Sequence, residues 1–502
     1  MKNLFALLLI ILVSCISVFS QSSEKLKTLS QNKTSKALQE LKDFLSIPND
    51  ALNVDDIDKN LGWLESAFEK RGFSTEILPT TRTPLFFAER KFKSAKKTVL
   101  FYMHFDGQGI DPSKWHQPNP YEAVLKEKKE TGYEIISWDK TKENPNPEWR
   151  VFARSSSDDK GPIVMILSAM DLLDKHLKGK SKINIKVILD GEEEKGSQHL
   201  PAAVLKYNAK LLADYLIIND GPMHLSAQPT LVFGCRGITS VVLTTYGPRT
   251  PQHSGHYGNY APNPVFGMAK LLASMKDDDG RVIIPGYYDG IEFSEAIKKV
   301  LQAVPDDTLK IHKIIGIAQS EKVGSNYQES LQYPSLNVRG IQAAWVGAQT
   351  RTIVPEKAMA SIDIRLVPES NPEKLKALLK KHIEQQGYYV IDSVPTEKER
   401  LTHAKILTFE AGKATMAFRT AIDSEMGNWL ERTVASGLGH APIKVRIMGG
   451  TVPIAPFINA LEIPAVIVPL VNTDNNQHSP NENLKIWNFT NGIQTFLALM
   501  VK

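Results

Sequence analysis

The sequence predicts an α/β fold, a mostly parallel sheet flanked by helices, with a smaller α+β module inserted into it. Three observations lead there. Short, largely apolar runs at residues 98–103, 183–189 and 215–218 alternate with helical stretches, the pattern of strands covered on both faces. Each run ends in a cluster of charge: His104-Phe105-Asp106, Asp190-Gly191-Glu192-Glu193-Glu194 and Asn219-Asp220. After Gly237 the texture changes to alternating strands (240–245, 360–366) and one amphipathic helix at 372–386.

Taken in order, the chain opens with Lys2, an apolar run at 4–13 and then small residues. That pattern reads as an export signal ending at Ser20 and implies a periplasmic or extracellular protein. Leu12-Val13-Ser14-Cys15 also resembles a lipobox, which would make Cys15 a lipid anchor and the one route to a membrane. The apolar run falls short of the roughly 20 residues that cross a bilayer. Residues 35–45 have helical periodicity and stop before Pro48. Helices are expected at 161–173 and 201–205, between the strands. Residues 115–149 form an insertion rich in tryptophan and proline. A strand at 465–470 and a helix at 488–501 would return the chain to the first sheet. The expected organisation is a leader at 1–20, a catalytic domain in two parts (21–237 and 414–502), and an inserted domain at 238–413.

Composition narrows the function. Over 502 residues, 42% are hydrophobic and 23% charged, as in ordinary globular proteins. A net charge of +5 is too slight to imply a nucleic-acid partner. The two cysteines, Cys15 and Cys235, exclude a disulfide scaffold or a zinc site built mainly from thiolates. A bound metal would need His, Asp and Glu.

Such residues recur at five places far apart in sequence: His104-x-Asp106, Asp158-Asp159-Lys160-Gly161, Glu193-Glu194, Asp220 and His478. Singly, each has an ordinary explanation; Asp158-Asp159 could simply cap the helix that follows. Jointly they fall where ligands bind in α/β sheets, beyond the carboxyl ends of the strands. With Ser157-Asp158-Asp159-Lys160-Gly161-Pro162, Glu193-Glu194-Lys195-Gly196-Ser197 and His478-Ser479-Pro480-Asn481-Glu482, the chain resembles the M20 metallopeptidases, nearest the carnosine- and cysteinylglycine-type dipeptidases. Ile284-Pro285-Gly286-Tyr287-Tyr288-Asp289, His253-Ser254-Gly255 and Gly449-Gly450-Thr451-Val452-Pro453 match as well.

The resemblance implies a di-metal hydrolase of dipeptides or short peptides with an inserted lid and dimerisation domain. Asp158 would bridge two divalent ions, His104 and Asp220 completing one site and Glu194 and His478 the other. Zinc is the expected metal; manganese and cobalt suit the same donors. Glu193 would be the general base for a water activated between the ions, and Asp106 would orient His104. His253 would reach across a homodimer to the oxyanion, Arg365 would meet the substrate carboxylate, and Gly450-Thr451 would approach the substrate. For Arg365 the plain alternative is a salt bridge to Asp363 on the same strand. The family often joins the two aspartates by a cis peptide. The chain departs from the family at Gly107-Gln108-Gly109-Ile110 and in the 115–149 insertion. An N-acyl-amino-acid amidohydrolase, or a non-catalytic metal-binding relative, would share the scaffold.

Overall fold

The computed structural model describes residues 2–452 and 454–502, with side chains from Ser23 onward. The leader expected at residues 1–20 and the anchor at Cys15 lie outside the described side chains. The chain divides into two compact units. One comprises Met1–Phe233, Thr420–Val445 and Pro456–Lys502; the other comprises Gly234–Arg419 and Arg446–Ala455.

The first unit is built on an eight-stranded sheet in the order Ser74–Leu78, Leu85–Arg90, Ile183–Asp190, Lys97–His104, Tyr215–Ile218, Ala465–Ile467, Thr230–Val232, Ile443–Val445. Its middle four strands run parallel, and antiparallel pairs begin on either side of them. In Lys97–His104 every residue from Val99 to His104 is buried, as expected of a strand covered on both faces. The pairing sets His104 beside Asp190, so two charged strand ends share one edge. The strand expected at 465–470 is shorter. Val468 still donates its N–H to Ile218, but Pro469 has none to give.

Helices Lys160–His176 and Ile486–Val501 bury most of their length in this unit, and Phe101 meets Phe496 edge-on at 5.7 Å. The helix Lys2–Leu45 adds Leu38, Leu41, Phe44 and Leu45 to the same core. The tryptophan-rich insertion folds as a four-stranded antiparallel sheet in the order Asn483–Lys485, Arg150–Phe152, Val124–Lys129, Gly132–Ile136. It thereby joins the segment after Ser479 to the segment before Asp158.

The second unit carries a five-stranded sheet in the order Asn337–Gln342, Lys357–Leu366, Gly237–Tyr246, Ile406–Ala411, Tyr389–Ile391. Along Lys357–Leu366 exposure alternates residue by residue, so Ala358, Ala360, Ile362, Ile364 and Leu366 form one buried face. The helix Pro372–Gln385 lays Leu375, Leu379 and Ile383, four residues apart, into that core. The sequence reading expected one helix here. The structure adds Pro264–Ala273, Glu295–Gln302 and Thr308–Ile315, each started by a side-chain cap (Asn263, Ser294 and Asp307). Helices of eight to ten residues hold too few turns for periodicity to reveal them.

A buried ion network fastens the helices of the first unit. Arg71, only 4% exposed at its side chain, donates to Asp171 and Glu40 at 2.8 Å each, and Lys33 closes on Asp171. Burial favours the neutral acids, but Arg71 and the nearby lysines outweigh it and hold both carboxyls below their usual range. Their stabilising contribution is therefore present above the unfolded carboxyl value of about 4 and is lost as pH falls further. Arg71→Met is expected to cost about 2–3 kcal/mol at neutral pH, between exposed and buried pairs. Denaturant melts of both proteins should show that gap narrowing below about pH 4.

Candidate metal centre

The charged residues gather because parallel strands end together and short turns carry their side chains inward. His104 closes the strand Lys97–His104, Asp220 follows Tyr215–Ile218 by two residues, and Glu193–Lys195 is a single helical turn after Ile183–Asp190. Asp158 precedes the helix Lys160–His176, and the Asp158–Asp159 peptide is cis. His478 sits at φ 61° in the loop before Asn483–Lys485. Ligand atoms of His104, Asp158 and Asp220 lie within 4.8 Å of one another, as do those of Asp158, Glu194 and His478. Asp158 belongs to both groups.

The distances show how Asp158 is shared. His104 Nε2 is 2.9 Å from its Oδ1, and His478 Nε2 is 3.1 Å from its Oδ2 and 3.3 Å from Glu194. Burial alone would raise the Asp158 pKa; the two imidazoles outweigh it and hold the acid well below its usual range. Around it, burial and mutual repulsion act the other way. Glu194 is pushed up to about 7, Asp220 up to about 6, and Glu193 well above its ordinary value. His104 is buried, yet Asp106 and Asp158 raise its proton affinity, and His478 is raised to about 9 by Asp158 first. These groups demand positive charge. Asp158 Oδ2 is buried, and the His478 imidazole 3.1 Å away makes no well-aligned hydrogen bond to it. Two imidazoles and three carboxylates, one of them shared, fit a pair of divalent cations by donor chemistry.

A further layer holds these side chains. Asp106, fully buried, accepts the backbone N–H groups of Glu193 and Glu194 at 3.0 and 3.1 Å. Its backbone oxygen lies 3.2 Å and its carboxylate 3.4 Å from His104 Nδ1. Asp190 accepts from Tyr102, Ser197 and the Glu192 N–H, fixing the turn from below. Two participants escaped the sequence reading. Gln108 donates to Glu194 Oε2 at 2.8 Å, from the segment noted only as a departure. Glu482 accepts from the N–H groups of Ser155, Ser157 and Asp158, from the Ser157 hydroxyl and from Arg154. Its place in the His478 motif was the available signal. The Glu193 carboxylate, by contrast, is hydrogen-bonded to no described residue.

The remaining expected site residues fall in the second unit. Arg365 donates from Nη1 to Thr451 Oγ1 at 2.8 Å, and Thr451 donates to the Arg236 carbonyl at 2.7 Å. Asp363 takes its hydrogen bond from Asn337 instead, so the Arg365–Asp363 bridge is not formed. Gly450 is exposed beside Thr451, and a Cβ there would meet Met448 at 3.0 Å. His253 is exposed, accepts the Gly255 N–H at Nδ1 (3.0 Å) and lies against His256.

Comparison with known proteins places this geometry in a family. The model for peptidase family M20/M25/M40 matches residues 100–502. The Beta-Ala-His dipeptidase of Mus musculus is 26% identical over 428 residues, covering 84% of this chain and 80% of that protein. The Cys-Gly metallodipeptidase dug1 of Schizosaccharomyces pombe is 27% identical over 421 residues, covering 80% and 79%. Among solved structures, the M20 family metallo-carboxypeptidase Sso-CP2 of Sulfolobus solfataricus superposes with a TM-score of 0.72 at 29% identity, covering 92% and 98%. These relatives overturn the export inferred from the first twenty residues. The kinship runs to Cys-Gly metallodipeptidases of S. pombe, Candida albicans and Saccharomyces cerevisiae, and the periplasmic or extracellular assignment, with its anchor at Cys15, is withdrawn. A ten-residue apolar run is a signal that an export leader shares with an ordinary helix segment. Among the described residues no helix is long and apolar enough to cross a membrane. With residues that could hold a metal gathered in two groups and a match that spans most of its length, the chain belongs to peptidase family M20/M25/M40 and is a hydrolase of the metallopeptidase kind.

Proposed function

We propose that this protein hydrolyses the peptide bond of dipeptides or short peptides, using two divalent ions, zinc in the first place, held by His104, Asp158, Asp220, Glu194 and His478. The sharing of Asp158 by two ligand groups carries the reading. The dipeptidase names of the mouse and fission-yeast relatives support the substrate class. When bound, such an ion pair supplies Lewis acidity to the scissile carbonyl and lowers the pKa of a water.

The chain's own residues do the rest. Glu193, with a carboxylate free of hydrogen bonds and a pKa raised by burial first, takes a proton from the attacking water and returns it to the leaving amine. Asp106 holds the backbone of Glu193 and Glu194 in place for that transfer. In the second unit, Arg365 offers a fixed guanidinium to the substrate carboxylate, oriented by Thr451. The Gly255 N–H donated to His253 Nδ1 leaves the proton on Nε2, the form that can donate to an oxyanion. We read His253 as serving the partner subunit's site in a homodimer.

Three outcomes are expected. Glu193→Gln should keep both metal equivalents and lose about 10²–10⁴ in kcat; near-parental turnover at full metal content would remove Glu193 from the role of base. Asp158→Asn should lower the occupancy of both ions together in elemental analysis, and loss of a single equivalent would argue against a bridge. His253→Ala should cost about 10²–10³ in kcat. Dimers reassociated from His253→Ala and Glu193→Gln subunits should regain part of the activity. Verified hybrids that stay inactive would exclude a role for His253 across subunits. Activity on a dipeptide panel that vanishes with chelator tests the reaction itself, and turnover of N-acetyl amino acids alone would favour an amidohydrolase.

A further inference from the structure

Arg236 begins as a sequence curiosity, a cation between Cys235 and Gly237 with no acidic neighbour in the chain. The structure makes it stranger. The backbone around it is packed tightly: a Cβ at Gly237 would meet Thr415 O at 2.3 Å, and one at Gly234 would meet Phe418 O at 2.4 Å. Arg236 is 8% exposed, and among the described residues its side chain makes one hydrogen bond, from Nη2 to the Tyr333 carbonyl at 2.7 Å. Nε is buried with no acceptor, and no carboxylate among the described residues pairs with the guanidinium. Buried charges are ordinarily paired or bound to an ion.

Beside this cation lies a cavity of about 330 Å³ lined by Arg236, Lys276, Tyr288, Ser320, Glu321 and Tyr333, among others. That volume falls in the range of small-ligand pockets. Its one carboxylate, Glu321, is already taken at both oxygens by Lys276, at 2.9 and 3.0 Å. Arg281 adds a further positive charge over the rings of Tyr288 and Tyr333, at 4.6 and 5.5 Å. Burial first, then repulsion from Arg365, draws the Arg236 pKa down to about 10, which leaves it cationic at neutral pH. Every residue named here belongs to the second unit.

We propose that this cavity is an anion-binding site, in which the Arg236 guanidinium holds a small carboxylate or free oxyanion. Two N–H donors on a planar fork match two oxygens of such a group. The site is separate from the substrate-carboxylate role read for Arg365, whose Nη1 is engaged by Thr451.

The test is thermal unfolding of the metal-loaded enzyme against increasing sodium sulfate and, separately, sodium acetate, with ionic strength held constant by sodium chloride. A saturable rise in Tm is expected with at least one of the two, and the tighter one names the source. Arg236→Met should abolish the saturable part. Arg236→Lys, which keeps the charge and covers the case in which the methionine variant fails to fold, should raise the half-saturating concentration by about tenfold or more. Arg365→Met should leave a saturable response in place. Absence of a saturable response to both anions in the parent overturns the proposal. So does a response that survives in Arg236→Met or Arg236→Lys at parental concentration, or one removed by Arg365→Met alone.

Discussion

The Glu482 carboxylate is the contact on which the metal centre depends. It is fully buried and accepts the backbone N–H groups of Ser155, Ser157 and Asp158 and the Ser157 hydroxyl, with Arg154 as its counter-charge. Burial pushes this acid toward its neutral form, and Arg154 is the chief force against that. A carboxylate wrapped by donors in this way sets a backbone segment as rigidly as a strand would. Asp158 therefore meets its two histidines from a turn that has little freedom to relax. His478 lies four residues before Glu482, so one short segment carries a candidate ligand and fixes Asp158, the residue shared by both candidate groups.

That rigidity matters because the centre is electrostatically unfavourable by itself. Asp158, Glu193, Glu194 and Asp220 crowd against one another, and their proton affinities rise with burial and repulsion. Left flexible, such a cluster would splay or take up protons. The strand ends, the Asp106 clamp on Glu193 and Glu194 and the Asp190 network beneath them resist splaying. What remains is a demand for cations, met by the donor types that bind zinc, manganese or cobalt. Packing energy in the sheet thus holds together a charge arrangement that bound cations would relieve.

The second unit meets charge differently. Its sheet and the helix Pro372–Gln385 close an apolar core without buried acids, and several of its guanidinium groups lean on neutral acceptors. Arg365 rests on the Thr451 hydroxyl and Arg236 on the Tyr333 carbonyl. Arg446 leans on Gln332, with the Glu369 carboxylate farther off at 4.0 Å. Guanidinium groups held by neutral acceptors keep their full charge available to an incoming anion, where a salt bridge would spend it on the fold.

The order of elements and the residue types at the strand ends were readable from the chain alone. Apolar runs covered on both faces leave a continuous hydrophobic signal, and the His, Asp and Glu clusters interrupt it at 104, 190 and 220. The helices at 160–176 and 486–501, long and richly apolar, were equally plain. The short capped helices of the second unit were not, because two or three turns carry too little periodicity. Nor could composition tell an export leader from an apolar helix segment. Above all, sequence supplied the ligand candidates but not their neighbours. That Gln108 reaches Glu194, that Arg365 passes over Asp363 for Thr451, and that Glu482 gathers the turn before Asp158 follow from pairings between residues as far as 327 positions apart. Local preference is a property of a few consecutive residues. A buried hydrogen bond is decided by which distant groups packing leaves within three ångströms of each other, and only the folded chain determines that.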